Sequence, residues 1–247
     1  MSDAFRVGSI ALEQYQKALS TTANNIANLQ SGQFKRSEMS FSELVAVQDD
    51  NTQSLGMRAN EVRMLSQQGE LRVTGNELDL AIDGHGLIEL LGPNGHYVYW
   101  RGGTLSVGSD GFLQSSHGYP LADMINVPFD TIALQIDSDG TVSSLISNAL
   151  EEFGLIRLVK AGMGLDELVT RHTSDGLYRF DDAGRPSDII PGEEGAGIIV
   201  QGALEMSNVD LNEEMVRLLL LQRGYAANSQ MVQAADQFLA IANNLRQ

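Results

Sequence analysis

Apolar residues recur at alternating steps of three and four at both ends of the chain and at steps of two in the middle. This pattern divides the sequence before any motif is considered. Near the start, Phe5, Gly8, Leu12, Tyr15, Leu19, Thr22, Ile26 and Leu29 keep the first rhythm, which predicts a helix with one narrow seam. At about 1.5 Å per residue such a helix runs roughly 37 Å, and so narrow a seam suits a helical partner better than a broad core. Asn24, Asn25 and Asn28 lie around the seam, and Gly32 is the expected terminator.

Near the end, Asp210 is placed to cap a helix, with Glu213 three residues on in the reciprocal capping pattern. Leu218, Leu221, Tyr225, Asn228, Val232, Ala235, Leu239 and Ala242 then form a seam, and Met231, Phe238, Ile241 and Leu245 a second stripe beside it. This helix has a face wide enough for two neighbours. Thr22 and Asn228 put polar groups on the seams, either to favour one register or to sit at a wet edge.

Between the helices the pattern changes to short alternating runs and glycine turns. Leu78, Leu80 and Ile82 alternate with Asp79 and Asp83, and Asn94-Gly95, Asp110-Gly111, His117-Gly118 and Asp139-Gly140 punctuate the chain. Further strands are expected at 155–159, 177–180 and 197–204. Junctions near 67–75 and 202–208 separate this all-β region from the helical ends. The expected fold is therefore α+β. Its segments are an N-terminal helix in 1–36, a connecting segment 37–74, a hairpin-rich β domain 75–204 and a C-terminal helix in 205–247. The two helices, far apart in sequence, are natural partners as a coiled coil. Their remaining apolar surface is then covered by other copies of the chain or by the chain's own β domain.

Charge narrows the function. Sixteen Lys and Arg against 32 Asp and Glu give a net charge of −16, which repels nucleic acid and anionic lipid. Without cysteine, disulfides, thiolate metal sites and cysteine nucleophiles are excluded. The opening residues lack the pattern of an ordinary cleaved signal or a membrane span.

No catalytic centre or cofactor site is legible. His85, His96, His117 and His172 have no metal-ligand spacing, and no serine sits in a nucleophile elbow. The glycines around His85 and in 192–197 do not open a helix after a strand, and Glu193 and Glu194 oppose phosphate. Asp49-Asp50, Glu151-Glu152 and Asp181-Asp182 are the carboxylate pairs a polysaccharide or cell-wall hydrolase would need, although adjacent acids ordinarily diverge. Trp100, Tyr97 and Tyr99 form a hairpin face for the β core, with carbohydrate stacking as the lesser reading. Lys35 and Arg36 either grip an acidic neighbouring subunit or complement a helix C-terminus.

Three stretches carry a resemblance. "ALSTTANNIANLQSGQFKRSEMSF", "GNELDLAIDGHGLIEL" and "GALEMSNVDLNEEMVRLLLLQRGYAANSQMVQAADQFL" resemble, in this order, the bacterial flagellar rod and hook family. The matching motif residues are Ala23, Asn24, Asn25, Ala27 and Asn28, then Phe34, Lys35 and Arg36, then Ser207, Asn208 and Val209, with Gln222-Arg223 followed by Tyr225. The family usually has glycine directly before Phe-Lys-Arg, where this chain has Gln33 and places Gly32 one residue earlier.

The resemblance implies a non-enzymatic subunit exported through the flagellar type III apparatus without a cleaved signal. It also implies a helical tube in the periplasm-spanning rod, with paired helices inside and the β domain outside. Partners would be other copies, other rod proteins, the hook and the basal-body rings, with no membrane insertion and no cofactor. The length fits a rod protein. The short stretch between Phe41 and Gln68 favours the proximal type, and the Glu213–Val216 helix start the distal type. The assembly interface is expected at Leu12, Tyr15, Leu19, Ile26, Leu29, Leu218, Leu221, Tyr225, Val232 and Leu239. Besides the hydrolase, a soluble module that binds a partner helix is the alternative class.

Overall fold

A computed structural model of the chain describes residues 2–39, 41–48, 51–59, 63–64, 67–128, 131, 133–146, 149–160, 169–172, 177–180, 187–193 and 195–244. It has helices at both termini and a β-rich central region, an α+β fold. The chain divides into two compact units. One comprises Met1–Leu29, Arg36–Leu65 and Val209–Gln247, the other Gln30–Lys35 and Ser66–Asn208.

The first unit is built on two helices, α1 (Ser2–Ala27) and α2 (Leu211–Asn244), which pack against each other. Asp210 caps α2 as expected, its Oδ1 accepting the N–H groups of Asn212 at 2.7 Å and Glu213 at 3.3 Å. The reciprocal half of the pattern is not used. Glu213 turns its carboxylate to Arg36 instead, since a guanidinium offers a charge-assisted bond that a backbone N–H cannot match.

Helix α1 stops at Ala27, and the Asn28 N–H closes the last turn on the carbonyls of Asn24 and Asn25, both at 3.1 Å. Gly32 is therefore not the terminator, and the left-handed conformation in this region belongs to Gln33, with φ 62°. Within 37–74, Phe41–Gln48 and Asn51–Ala59 pair as an antiparallel hairpin, and Ser37–Glu38 pairs with Arg63–Met64. Helix α1 also lies against Asn51–Ala59.

The second unit is antiparallel throughout its described pairings. A six-stranded sheet runs in the order Val169–His172, Leu177–Phe180, Tyr97–Trp100, Leu87–Leu91, Leu158–Lys160, Ser187–Ile189. A four-stranded sheet has the order Leu113–Ser115, Gly102–Val107, Asp79–Asp83, Ile198–Gln201, and a three-stranded one Leu134–Ile136, Thr141–Ile146, Ala149–Leu155. One apolar core takes side chains from all three sheets, among them Leu80, Leu90, Trp100, Leu113 and Val142, each fully buried. Trp100 thus belongs to the core, Tyr99 is buried beside it, and Tyr97 is exposed.

The predicted hairpin turns are present: Gly95, Gly111, Gly118 and Gly140 all have φ between 76° and 91°, which only glycine adopts without strain. Two expected strands are interrupted. Residues 155–159 break at Ile156 and Arg157, where Arg157 turns out to bind Asp123 and Asp188. The run 197–204 breaks at Gly202, with φ 73°, so that Ala203–Glu205 leaves the four-stranded sheet and pairs with Leu71–Val73. Asp79, which alternates with Leu78 and Leu80, is itself buried, and Thr74, Thr104 and Asn76 all donate to its carboxylate.

Candidate assembly surface

The helix pair of the first unit is cemented by small residues. On α1 the buried line is Gly8, Ala11, Ala18, Thr22 and Asn25, with Tyr15 half-buried between. A Cβ added at Gly8 would stand 2.5 Å from Val232 Cγ2, and one at Gly224 2.6 Å from Tyr15 Cε1. Gly8 thus faces Val232 and Gly224 faces Tyr15, an antiparallel register in which both glycines let the backbones approach closely. Leu12, Leu19, Ile26 and Leu29 are half-buried, the first three on the flank of that line. On α2 the line is Glu214, Leu218, Leu221, Tyr225, Asn228, Val232 and Ala235, with Leu221 and Asn228 8% exposed. The side chains of Phe5, Leu239 and Ala242 lie outside the described residues, as does Leu245.

The other face of α2 is apolar and open. Met215, Val216, Leu219, Leu220, Met231, Phe238 and Ile241 are 48–64% exposed apart from Phe238 at 65%. No helix among the described residues is long and apolar enough to cross a membrane. An apolar face of this extent marks a surface for protein contact.

The motif residues fix how the chain returns to the helices. Asn25, 1% exposed, donates from Nδ2 to the Ser37 carbonyl at 2.8 Å and accepts the Ser37 N–H on Oδ1 at 3.0 Å, so its amide imitates a strand neighbour. Asn28 donates to the Asn24 carbonyl and to its side-chain oxygen, while Ala23 and Ala27 are exposed. Arg36 holds Glu213 at 2.6 Å and Glu214 at 2.7 Å, the latter fully buried in the first turn of α2. Arg217 pairs with Glu38 in the same group. Val209 is buried, and Gln222 and Arg223 are exposed.

In the second unit, a buried ion cluster gathers the segments that lead to and from the β sheets. Glu205, 1% exposed, binds Lys35 Nζ at 2.5 Å and the Gly69 N–H at 2.9 Å through Oε1, and Arg101 Nε at 3.0 Å through Oε2. Lys35 also donates to the Gln67 carbonyl at 2.8 Å, and Arg101 to the carbonyls of Gly86 at 2.9 Å and Gly84 at 2.5 Å. Burial pushes the Lys35 ammonium below its ordinary pKa, outweighing the opposing pull of Glu205.

Both earlier readings of Lys35 are thereby corrected. Its side chain is 3% exposed and committed within its own chain, and α1 ended eight residues before it, beyond the reach of the helix dipole. Arg36, likewise, binds its own chain's α2.

The residues around Lys35 are equally fixed. Gln33 donates its N–H to the Glu205 carbonyl at 2.8 Å and accepts the Trp100 indole N–H on Oε1 at 3.1 Å. Gly103 leaves room for this, since a Cβ there would lie 2.3 Å from Gln33 Nε2. Asn208 donates from Nδ2 to the Gln67 carbonyl at 2.8 Å and from its backbone to Phe34; Phe34 and Ser207 are half-buried. Glu205 and Arg101 were not singled out in the sequence, and Glu214 only as part of the Glu213–Val216 helix start. The one local hint was a lone acid, Glu205, between Leu204 and Met206.

Among the described residues no group of three or more His, Asp or Glu is placed to hold a metal ion. Glu151 and Glu152 are consecutive exposed residues of Ala149–Leu155, where successive side chains face opposite ways. Asp49, Asp50, Asp181, Asp182 and Glu194 lie outside the described residues, as does the side chain of His172.

Three family models match the chain: flagella basal body rod protein over residues 5–30, the D1 domain of flagellar hook protein FlgE/F/G over 81–144, and the C-terminal part of flagellar basal body rod FlgEFG proteins over 200–245. The chain is 32% identical to the flagellar basal-body rod protein FlgG of Borreliella burgdorferi, covering 100% of this chain and 99% of that protein. It is 31% identical to the protein of that name from Buchnera aphidicola subsp. Schizaphis graminum, covering 94% and 95%. The FlgG of Agrobacterium fabrum is also 31% identical, over 97% and 98%.

Proposed function

The chain belongs to the family of flagellar basal-body rod proteins, and we propose that it is held in the rod by a coiled-coil layer made of its two terminal helices. It is a structural subunit of the basal-body rod, not an enzyme, and serves flagellum-dependent motility from that location. Self-assembly and contact with other rod and hook components follow from that role. In the finer reading, 1–36 and 205–247 form the assembly domain and 75–204 the outer wall of a tube, with 37–74 between them. Leu12, Tyr15, Leu19, Ile26, Leu29, Leu218, Leu221, Tyr225, Val232 and Leu239 line the helical layer. The subunit reaches its place through the type III export apparatus and is surrounded there by the basal-body rings.

The observation that supports this most is the close packing of helices from opposite ends of the chain, Gly8 on Val232 and Tyr15 on Gly224, which leaves a second apolar face of α2 open. Deleting residues 234–247 is expected to leave a soluble chain with a folded β unit that no longer polymerises, as read by circular dichroism and electron microscopy. Normal filaments from the truncated chain would refute the helical layer.

A further inference from the structure

All the sulfur of this chain is thioether: it has nine methionines and no cysteine. The methionine side chains within the described residues differ in their access to water. Met39 and Met206 are half-buried, Met124 and Met215 are 47% and 48% exposed, and Met231 is 64% exposed. An exposed thioether is an apolar group that a mild oxidant converts into a polar one, and Met231 offers the most open of those described.

The neighbours of Met231 leave its sulfur bare. Ala227, one turn before it, and Ala234, one turn after it, are exposed and too short to shield an unbranched side chain. All three belong to the open apolar face of α2, together with Leu220 and Phe238. Met215, sixteen residues earlier, is turned about 160° around the helix from Met231 at roughly 100° per residue, and so points to a different side.

Polarity at this place has opposite consequences in the free and the assembled chain. While water reaches Met231, a sulfinyl oxygen there is solvated. When protein covers the face, that oxygen loses its water and gains no donor in exchange, because the side chains of Leu220, Ala227, Ala234 and Phe238 carry none.

Resting on the rod-subunit reading above, we infer that Met231 is a modification site at which a peroxide-class oxidant controls whether the free subunit assembles. The sulfur gives an electron pair to one oxygen of hydrogen peroxide, the O–O bond breaks, and the other oxygen leaves as water. Sulfur is oxidised by two electrons, peroxide is reduced by two, and the thioether becomes a sulfoxide. Assembly closes off the same sulfur, so the control acts on free subunits and spares those already in place.

The test uses the full chain. Brief treatment of the free chain with hydrogen peroxide, followed by peptide mass analysis, is expected to add oxygen at Met231 at least about threefold faster than at Met39 and Met206. The treated chain is expected to need roughly tenfold more protein to assemble, with recovery after incubation with methionine sulfoxide reductase. Met231→Leu should assemble equally well before and after peroxide, whereas Met215→Leu should remain sensitive. Met231→Gln places a polar group at the same site without any oxidant and is expected to reproduce the loss, with thermal unfolding of the free chain unchanged. Normal assembly of chains oxidised at Met231, normal assembly of Met231→Gln, or a Met231→Leu chain as sensitive to peroxide as the wild type each overturns the inference and leaves the rod-subunit reading standing. An untreated wild-type chain that remains monomeric at every concentration sinks both.

Discussion

Replacing Glu205 by Gln probes the ion cluster of the β unit most directly. The substitution keeps shape and removes the negative charge that, among the described residues, pairs with both Lys35 and Arg101, whose side chains are 3% and 5% exposed. Arg101 keeps its bonds to the carbonyls of Gly84 and Gly86. Lys35 can escape by losing its proton, and from an unfolded value of 10.5 this costs about 5 kcal/mol at pH 7, at roughly 1.4 kcal/mol per pKa unit. That ceiling and the about 3–5 kcal/mol typical of breaking a buried pair agree, so a loss of about 3–5 kcal/mol is expected. For a unit of this size it lowers the melting temperature by roughly 6–20 °C.

The sign with pH is fixed too. In the variant the unfolded chain binds more protons than the folded one above pH 7, so its stability rises towards pH 9. Lys35→Met should cost no more than about 1.5 kcal/mol, because it removes a desolvated charge and leaves Glu205 with Arg101 and the Gly69 N–H. Chemical denaturation of the four members of the double-mutant cycle measures both. A loss below about 1 kcal/mol for Glu205→Gln, or equal losses for the two single variants, refutes the assignment of Glu205 as the organising charge.

Gly224→Ala should destabilise the helix pair by about 1–2 kcal/mol, because the clash with the Tyr15 ring exceeds the roughly 1 kcal/mol gained in helix propensity; thermal melts showing stabilisation instead would remove the close-packed register. At Gln33, alanine should be worse than glycine by about 1 kcal/mol, since both lose the Trp100 bond but only glycine relieves the positive φ; the emission of Trp100, the sole tryptophan, follows the change, and the reverse order contradicts the account. Burial pushes the Tyr178 phenol up to about 12, so between pH 10 and 12 the folded chain keeps a proton that the unfolded chain has released, and stability falls with pH across that window. An absorbance titration should contain a component near 12 that is missing from Tyr178→Phe; its presence in both chains assigns it elsewhere.

The α2 seam was legible because large apolar residues at steps of three and four stand out against polar ones. On α1 the pattern located the helix and put Gly8, Tyr15 and Thr22 on the seam, but it set Leu12, Leu19 and Ile26 beside them, where the structure buries Ala11, Ala18 and Asn25. Small residues score weakly as apolar, yet they alone allow backbones to touch, and the leucines move to the flank. Hairpin turns could be read from Asn94-Gly95 and its like because a local backbone requirement leaves a local residue. The Glu205 cluster could not, since Lys35 and Arg101 lie 170 and 104 residues from it and meet only through strand register. Gln33 was visible as a departure from the family, but its left-handed backbone depends on Trp100 and Gly103, far along the chain.

The strand entering the β sheets, Leu71–Val73, and the one leaving them, Ala203–Glu205, are bonded to each other, and the ribbon is tightened where Met206 donates to the Glu70 carbonyl and a Cβ on Gly69 would lie 1.9 Å from the Met206 oxygen. Neither thread can be drawn out singly. Mechanical tension applied to one is shared with the other through the bonds of the ribbon, so a pull on the β sheets is taken by a doubled cord.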